Sequence, residues 1–219
     1  MARVIGRGAF GRDASGTSAL EFALCAPLFI LLLLVGVDTV RYMSATRQVE
    51  DVATTIGQMI SVEQDGAISS KDLQFYHDAA MVIFPQVLAD AAQQSKTWDK
   101  DIGISVASIQ FTASSPTCKA KCTYVAKVLW AGGTTPRSCS VRPTAVADTA
   151  GPSSTTLPTS VYGAGSIIVV DVSFSFRPTI APRFMPTLPI RRSYYVAPRY
   201  TPTITYADAA GGTGFAHAC

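Results

Sequence analysis

The stretch Phe22–Val37, with the sequence FALCAPLFILLLLVGV, decides the fold because it contains no charged residue. As an α-helix, its 16 residues would be about 24 Å long. A complete membrane span needs roughly 20 apolar residues, so the run alone is slightly too short. The apolar character continues for two residues before Glu21 and for two residues after Asp38. The segment can therefore span a bilayer if Glu21 lies near one boundary or finds a partner.

A single membrane anchor explains this stretch better than a secretory signal peptide or a buried soluble helix. A signal peptide fits the basic start, but the run is followed by Asp-Thr-Val-Arg and no small-residue cleavage site closes it. Four consecutive leucines without a polar face disfavour a soluble helix. Residues 1–16 carry Arg3, Arg7 and Arg12 against Asp13, so the positive-inside rule predicts a cytoplasmic N-terminus and an exported C-terminal part.

The composition excludes several classes of protein. Charged residues make up 15% of the 219 residues, well below the usual quarter, which excludes a wholly disordered chain. The net charge of +3 excludes binding to nucleic acid by charge alone, and we expect no nucleic-acid partner. Only two histidines are available for catalysis or metal binding. We therefore expect no catalytic residue, no metal and no cofactor.

The helical pattern continues beyond the apolar run. After Asp38, apolar residues recur at steps typical of an amphipathic helix, at Val40, Met43, Val49, Val52, Ile56, Met59 and Ile60. The pattern predicts one helix from about Ser18 to about Ile60. A second helix is predicted to begin after a cap at Ser69 or Ser70, to be split or bent by Pro85, and to end near Gln94.

After Trp98 the apolar period changes to two, which predicts strands. The candidates are Ile102–Phe111, with a shift of phase at Ile109, followed by Cys122–Trp130, Ser166–Phe176 and Ile190–Ala197. The Ser- and Thr-rich residues 131–160 predict an extended surface loop stapled by Cys139. The tail after Pro202 is predicted to be mobile except where Cys219 anchors it.

Four of the five cysteines lie on the predicted exported side: Cys118, Cys122, Cys139 and Cys219. An even number in an oxidising compartment predicts two disulfides, with three possible connectivities. Cys122 with Cys139 would close a hairpin-like segment, and Cys118 with Cys219 would then tie down the C-terminus. A zinc site would use Cys118, Cys122 and Cys139 with His217 or Cys219, but the spacing is loose and the compartment favours disulfides.

The residues just before the apolar run form a motif. Gly16, four further residues, and then Glu21 and Phe22 precede an apolar helix. This resembles a class of prepilin cleavage sites, in which the cut falls after Gly16 and Thr17 becomes the new N-terminus. The following Glu21-Phe22-Ala23-Leu24, with Pro27 and then leucines, is similar to the TadE-type minor pseudopilins of the tight-adherence (Tad) pilus.

The resemblance implies a role for each residue of the motif. Glu21 would pair with the N-terminal amine of a neighbouring subunit and, with Phe22 beside it, set the register of packed helices. The implied partners are a prepilin peptidase, other pseudopilins, the major pilin, inner-membrane platform proteins and membrane lipid. Without cleavage, Glu21 would instead reach the headgroup level from an intact chain.

We therefore predict an α+β, pilin-like fold: a long N-terminal transmembrane and amphipathic helix, a second helix, and a small antiparallel sheet with disulfides. The predicted regions are a cytoplasmic leader (1–16), a transmembrane helix (17–40), an amphipathic helical region (41–97) and a periplasmic β-rich domain (98–219). The predicted function is that of a non-enzymatic minor pseudopilin of the inner membrane that can enter the pilus. The alternatives are an uncleaved single-span envelope protein that binds a ligand or another protein and, less favoured, a hydrolase.

Overall fold

The computed structural model describes residues 15–180, 182–183, 185–207 and 215–219, with residues 15–18 described as backbone only. The chain divides into two compact units. The first, the anchor unit, combines the residues up to Tyr42 with Pro178–Pro186. The second, the outer unit, combines Met43–Arg177 with Thr187–Cys219.

One helix, α1, runs from Ser15 to Ser61 and confirms the long N-terminal helix predicted from the apolar run and the amphipathic pattern. Pro27 lies inside it, and the helix continues through that position. Its outer-unit half buries one stripe of side chains, as the steps of three and four residues require. The fully buried members of this stripe are Val49, Val52, Ile56 and Ile60.

The predicted second helical region is divided into short helices. These are α2 (Ser70–Asp78), α3 (Ala80–Ile83), α4 (Gln86–Gln93) and α5 (Trp98–Asp101), and the two-residue strand β1 (Ala67–Ile68) precedes them. Ser69 caps α2 in a capping box with Asp72, as one of the two predicted serines should. Pro85 separates α3 from α4, because it fixes its own φ and restricts the residue before it.

A five-stranded antiparallel sheet, in the order β7-β6-β2-β3-β9, forms the centre of the outer unit. Its strands are β2 (Ile102–Ala113), β3 (Tyr124–Gly133), β6 (Gly165–Phe176), β7 (Leu188–Val196) and β9 (Ala216–Ala218). The register between β2 and β3 shifts between Ser108 and Ile109, because Leu129 of β3 is an extra residue there, whereas β2 pairs with β6 without a break. The predicted shift of phase is thus a change in which face of β2 carries the apolar residues. The α+β class and the antiparallel sheet are thus confirmed.

The two faces of this sheet pack against different parts of the outer unit. On one face, α1 approaches so closely that a Cβ built on Gly57 would lie 2.6 Å from Cδ1 of Tyr194 in β7. On the other face, Ile109 and Phe111 belong to a core cluster that includes Leu157. The sheet is therefore the middle layer between the helix and the segment that contains Leu157.

The Ser- and Thr-rich residues 131–160 are more structured than predicted. They contain the parallel pair β4 (Thr144–Val146) and β5 (Thr156–Pro158), which is followed by a 3₁₀ turn at Thr159–Val161. Leu157 and Arg137 are buried in the folded chain. The surface-loop prediction was wrong at these points because composition does not show which few side chains a polar segment buries.

The disulfides are Cys118–Cys122 and Cys139–Cys219. The suggested pairing of Cys122 with Cys139 and of Cys118 with Cys219 was therefore wrong. Cys118 and Cys122 both lie in the β2–β3 connection, and they close that turn on itself. Cys219 is placed beside Cys139 because β9 pairs with β3 and the Cys219 N–H donates to the carbonyl of Leu129.

The described parts of the C-terminal tail are held by strand pairing, contrary to the prediction of a mobile tail. The short strand β8 (Thr205–Tyr206) pairs in parallel with β1, and β9 adds an edge strand to the main sheet. The indole N–H of Trp130 donates to the carbonyl of Ile204 at 2.8 Å. These pairings join residues far apart in sequence, which a local composition argument does not capture.

The close approach of α1 to the sheet predicts that Gly57→Ala is destabilising. Alanine has the better helix propensity by about 1 kcal/mol, but overpacking against a ring costs about 1–3 kcal/mol. We expect a net loss of about 1 kcal/mol, measured by thermal unfolding of the detergent-solubilised chain. The matched control is Gly36→Ala in the same helix, where a Cβ meets nothing within 4 Å. Equal effects of the two substitutions would contradict the packing argument.

The disulfide pattern predicts unequal contributions to stability. Cys139–Cys219 links residues 80 apart in sequence, whereas Cys118–Cys122 links residues 4 apart. In the chain-entropy description, the first bond contributes about 4 kcal/mol and the second about 2 kcal/mol. We expect the double substitution Cys139→Ser/Cys219→Ser to lower the urea midpoint more than Cys118→Ser/Cys122→Ser. The opposite order would argue against this pairing, and peptide mapping of the oxidised protein would test it directly.

Candidate assembly site

The predicted cleavage motif lies at the very start of α1. The backbone of Gly16 and Thr17 is helical, and their side chains lie outside the described part of the chain. Glu21 follows in the second turn and is exposed. Its apolar neighbours are exposed as well, with 72% of Phe22 and 80% of Leu24 accessible. This end of the helix therefore presents one carboxylate on an apolar surface.

Glu21 is the only charged residue between Ala19 and Val37. No hydrogen bond or ion pair to Glu21 is found among the side chains that the structure describes, which begin at Ala19. An ionised carboxylate within an apolar membrane segment is costly unless it is paired or reaches the headgroups.

The surface around Glu21 is suited to lipid or to other apolar helices. One helix in the described chain is long and apolar enough to cross a membrane, with a mean hydropathy of 2.5 over 18 residues. None of the residues in that window is buried within the folded chain. An exposed apolar surface of this extent requires lipid or protein around it.

The comparisons with known proteins bear on this helix. Residues 16–57 match the family model of TadE-like proteins. No curated protein and no solved structure matches the chain. The match begins at Gly16 of the motif and confirms the predicted TadE-like resemblance.

The TadE-like segment comprises both the apolar part of α1 and most of its amphipathic part. It ends at Gly57, where the helix makes its close approach to the sheet. The match over these residues and the exposed apolar helix fit a single-pass membrane protein associated with a Tad pilus.

The zinc alternative does not fit the observed positions of the cysteines. Cys139, His217 and Cys219 have potential ligand atoms within 4.8 Å of one another. However, Cys139 and Cys219 are bonded to each other, so neither offers a free thiolate. Cys118 and Cys122 are likewise bonded to each other and do not belong to this group.

A buried arginine, Arg137, links strand β6 to the segment that leads into β5. The Arg137 side chain has no exposed surface and donates to both carboxylate oxygens of Asp171, at 2.6 and 3.0 Å. It also donates to the backbone carbonyls of Ser153, Ser154 and Thr156. Sequence reasoning missed Arg137 because a single arginine in a Ser- and Thr-rich stretch resembles a solvent-exposed residue.

Two pockets in the outer unit are relevant to the alternative prediction of an envelope protein that binds a ligand. One, of about 440 Å³, is lined mainly by hydroxyl groups, with Asp171 and Arg191 at its wall. The other, of about 470 Å³, is lined by His77, Trp98 and Phe215. Asp171 is already engaged by Arg137 and by the Ser193 hydroxyl, which leaves it poorly placed to act as a catalytic base.

His77, one of the two histidines of the chain, is a buried residue of α2. The residue is 4% exposed, and its ring lies 4.8 Å from that of Trp98 and 5.0 Å from that of Phe215. Its Nδ1 lies 3.2 Å from Asp78 Oδ1. These contacts place His77 in the packing between α2 and the segments that contain Trp98 and Phe215.

Two carboxylates of the outer unit share one guanidinium. Arg177 Nη1 donates to Asp90 Oδ2 in α4 and, at 3.0 Å, to Asp101 Oδ1 in α5. Burial, reinforced by the hydrogen bond and the charge of Asp101, raises the pKa of Asp90 to about 6, although Arg177 acts in the opposite direction. Asp90 therefore loses its proton at a pH at which most aspartates are already ionised.

The raised pKa of Asp90 predicts a pH dependence of stability. The folded protein retains this proton above pH 3.8, the ordinary value, so the contribution of Asp90 decreases as the pH rises from about 4 to about 6. We expect urea unfolding of the wild type to show this component, with a slope of at most about 1.4 kcal/mol per pH unit, and Asp90→Asn to remove it. Asp99→Asn, in the neighbouring helix, is the control. An unchanged pH profile in Asp90→Asn would contradict the assignment.

Proposed function

We propose that this chain is a minor pseudopilin that acts in assembly of a Tad-type pilus. The single observation that carries the proposal is the position of Glu21: a lone carboxylate on an exposed apolar helix, within a TadE-like segment that begins at Gly16. Such a residue gives an apolar helix one specific point of attachment, because pairing it is strongly favoured over leaving it in lipid.

The proposed processing step supplies the missing cation. A prepilin peptidase hydrolyses the peptide bond between Gly16 and Thr17, which releases the leader 1–16 and leaves an amine on Thr17. The amine of one subunit then meets the carboxylate of Glu21 in its neighbour, beside Phe22. Because hydrocarbon between helices provides no competing polar groups, this ion pair fixes the axial register of otherwise featureless surfaces.

The proposed topology follows the charge of the leader. The N-terminus lies in the cytoplasm, residues 17–40 cross the inner membrane, and the helical region 41–97 and the β-rich region 98–219 lie in the periplasm. The disulfides fit this oxidising compartment. The proposed partners are the peptidase, other pseudopilins, the major pilin, the platform proteins and membrane lipid. The role is structural rather than enzymatic, and the subunit can enter the extracellular pilus.

An uncleaved envelope protein with a binding domain is the second candidate. The pocket beside Trp98 and the hydroxyl-lined pocket next to Asp171 favour it, because a binding domain needs concave sites with polar groups. This candidate predicts an intact N-terminus beginning at Met1. N-terminal sequencing of the protein from its native membrane separates the two: a start at Thr17 supports the pseudopilin, and a start at Met1 rejects it.

Loss of the carboxylate is the sharper functional test. We expect Glu21→Ala to abolish or strongly reduce piliation at a normal protein level, since apolar helices would still insert but would lack their register contact. Glu21→Gln keeps the size of the side chain and should show the same defect if charge is the cause. Piliation is scored by electron microscopy, and protein level by immunoblot of the membrane fraction.

The matched control is Asp51→Ala, which removes an exposed carboxylate from the amphipathic half of the same helix. It should leave piliation unchanged. Normal pili in Glu21→Ala cells would reject the proposed role of Glu21, and an equal defect in Asp51→Ala cells would show that the effect is not specific to the apolar segment.

A further inference from the structure

A carboxylate at the outer end of the apolar run is covered by a distant segment of the chain. Asp38 directly follows the run, yet its side chain has no exposed surface. The backbone N–H of Ile180 donates to Asp38 Oδ2 at 3.2 Å. Arg41 Nη1 lies 3.6 Å from Asp38 Oδ1 and donates to the Thr179 hydroxyl. All four residues belong to the anchor unit.

The position of Asp38 defines the depth of this contact. A span of about 20 residues that starts near Thr17 ends close to Asp38. A bare carboxylate at this boundary would be costly, and Asp38 receives a hydrogen bond from the Ile180 N–H and an opposite charge from Arg41. Thr179 and Ile180 are therefore held at the level where the helix leaves the hydrocarbon.

The covered surface of α1 continues from Asp38 into the apolar run. Leu31, Leu34 and Val35 are less exposed than Leu32 and Leu33 beside them. Val35, Leu34 and Leu31 precede Asp38 by three, four and seven residues, which places them on the same helix face. This stripe extends about 10 Å along the axis, at 1.5 Å per residue. The apolar run is thus asymmetric, with one face that is partly covered and one face that is fully exposed.

The segment Pro178–Pro186 has a composition suited to a membrane interface. It contains three prolines and no acidic residue. Because proline has no backbone N–H, it leaves no donor without a hydrogen-bond partner in lipid. Ile180 is 40% exposed, and Met185 is partly exposed. Arg183 is exposed and can donate to a phosphate from its planar guanidinium.

We propose that Pro178–Pro186, the interface segment, is a second membrane contact that rests in the outer lipid leaflet beside α1. Its partner is the phospholipid bilayer: Ile180 and Met185 meet the boundary of the acyl chains, and Arg183 meets the headgroup phosphates. Lipid is the expected occupant because the segment is hydrogen-bonded to the helix at the end of its membrane span. The inference rests on the proposed anchoring of α1, and not on cleavage or pilus assembly.

The test measures where this segment lies in a membrane. The full chain carrying Cys25→Ser, which removes the free thiol of the described chain, is given one new cysteine and a nitroxide label. The positions are Ile180→Cys and, as a second site, Met185→Cys. The control is Val82→Cys, an apolar and 83% exposed side chain of the outer unit. Each protein is reconstituted into vesicles of phosphatidylethanolamine and phosphatidylglycerol.

The readout is the accessibility of the label to oxygen, which concentrates in lipid, relative to a water-soluble nickel chelate. We expect this ratio to be several-fold higher at positions 180 and 185 than at position 82. A ratio at both positions equal to that at position 82 overturns the proposal. Exclusion of both reagents also overturns it, because the occupant would then be protein.

A third label separates this inference from the proposed anchoring. Ile30→Cys lies within the apolar run and should show the oxygen preference of the hydrocarbon core. If position 30 is lipid-buried and positions 180 and 185 are not, the interface segment fails and the anchor stands. If position 30 reads as aqueous, the anchoring fails, and the inference that rests on it fails as well.

Discussion

The structure depends on the cost of placing a carboxylate in hydrocarbon. The apolar helix has one acidic residue near each end, and the two carboxylates have different surroundings. Asp38 is enclosed by a backbone N–H and by Arg41 within its own unit. Glu21, among the described residues, has no such partner. Among the described residues, the helix therefore has one acid with partners and one acid without.

The outer unit follows a different rule, in which polar groups are buried only with their partners. Arg137 is held by Asp171 and three carbonyl groups, and Arg177 joins Asp90 to Asp101. Removal of one partner from such an arrangement is costly, because it leaves a buried charge uncompensated. Two disulfides add constraints that do not depend on packing.

The sequence predicted those features that are local. Hydrophobic spacing located α1, the serine cap located α2, and the change to a period of two located the strands β2, β3, β6 and β7. What could not be predicted depends on contacts between distant residues. The hydrogen bond from Ile180 to Asp38 joins residues 142 apart, and the pairing of β1 with β8 links two segments of only two residues each. The burial of Arg137 and the disulfide connectivity belong to the same class. For the assembly site, the motif and its residues were visible in sequence, whereas the absence of a described partner for Glu21 required the structure.

The contact of Gly57 with Tyr194 has an evolutionary consequence. The helix and the sheet approach each other so closely that the ring of Tyr194 occupies the space that a side chain at position 57 would need. A homologous chain that acquires a larger residue at the helical position must shorten or reorient the aromatic ring on the strand, or move the two elements apart. Across related sequences the two positions should therefore covary in volume, and this correlation would mark the helix–sheet junction even where the remainder of the outer domain has diverged beyond recognition.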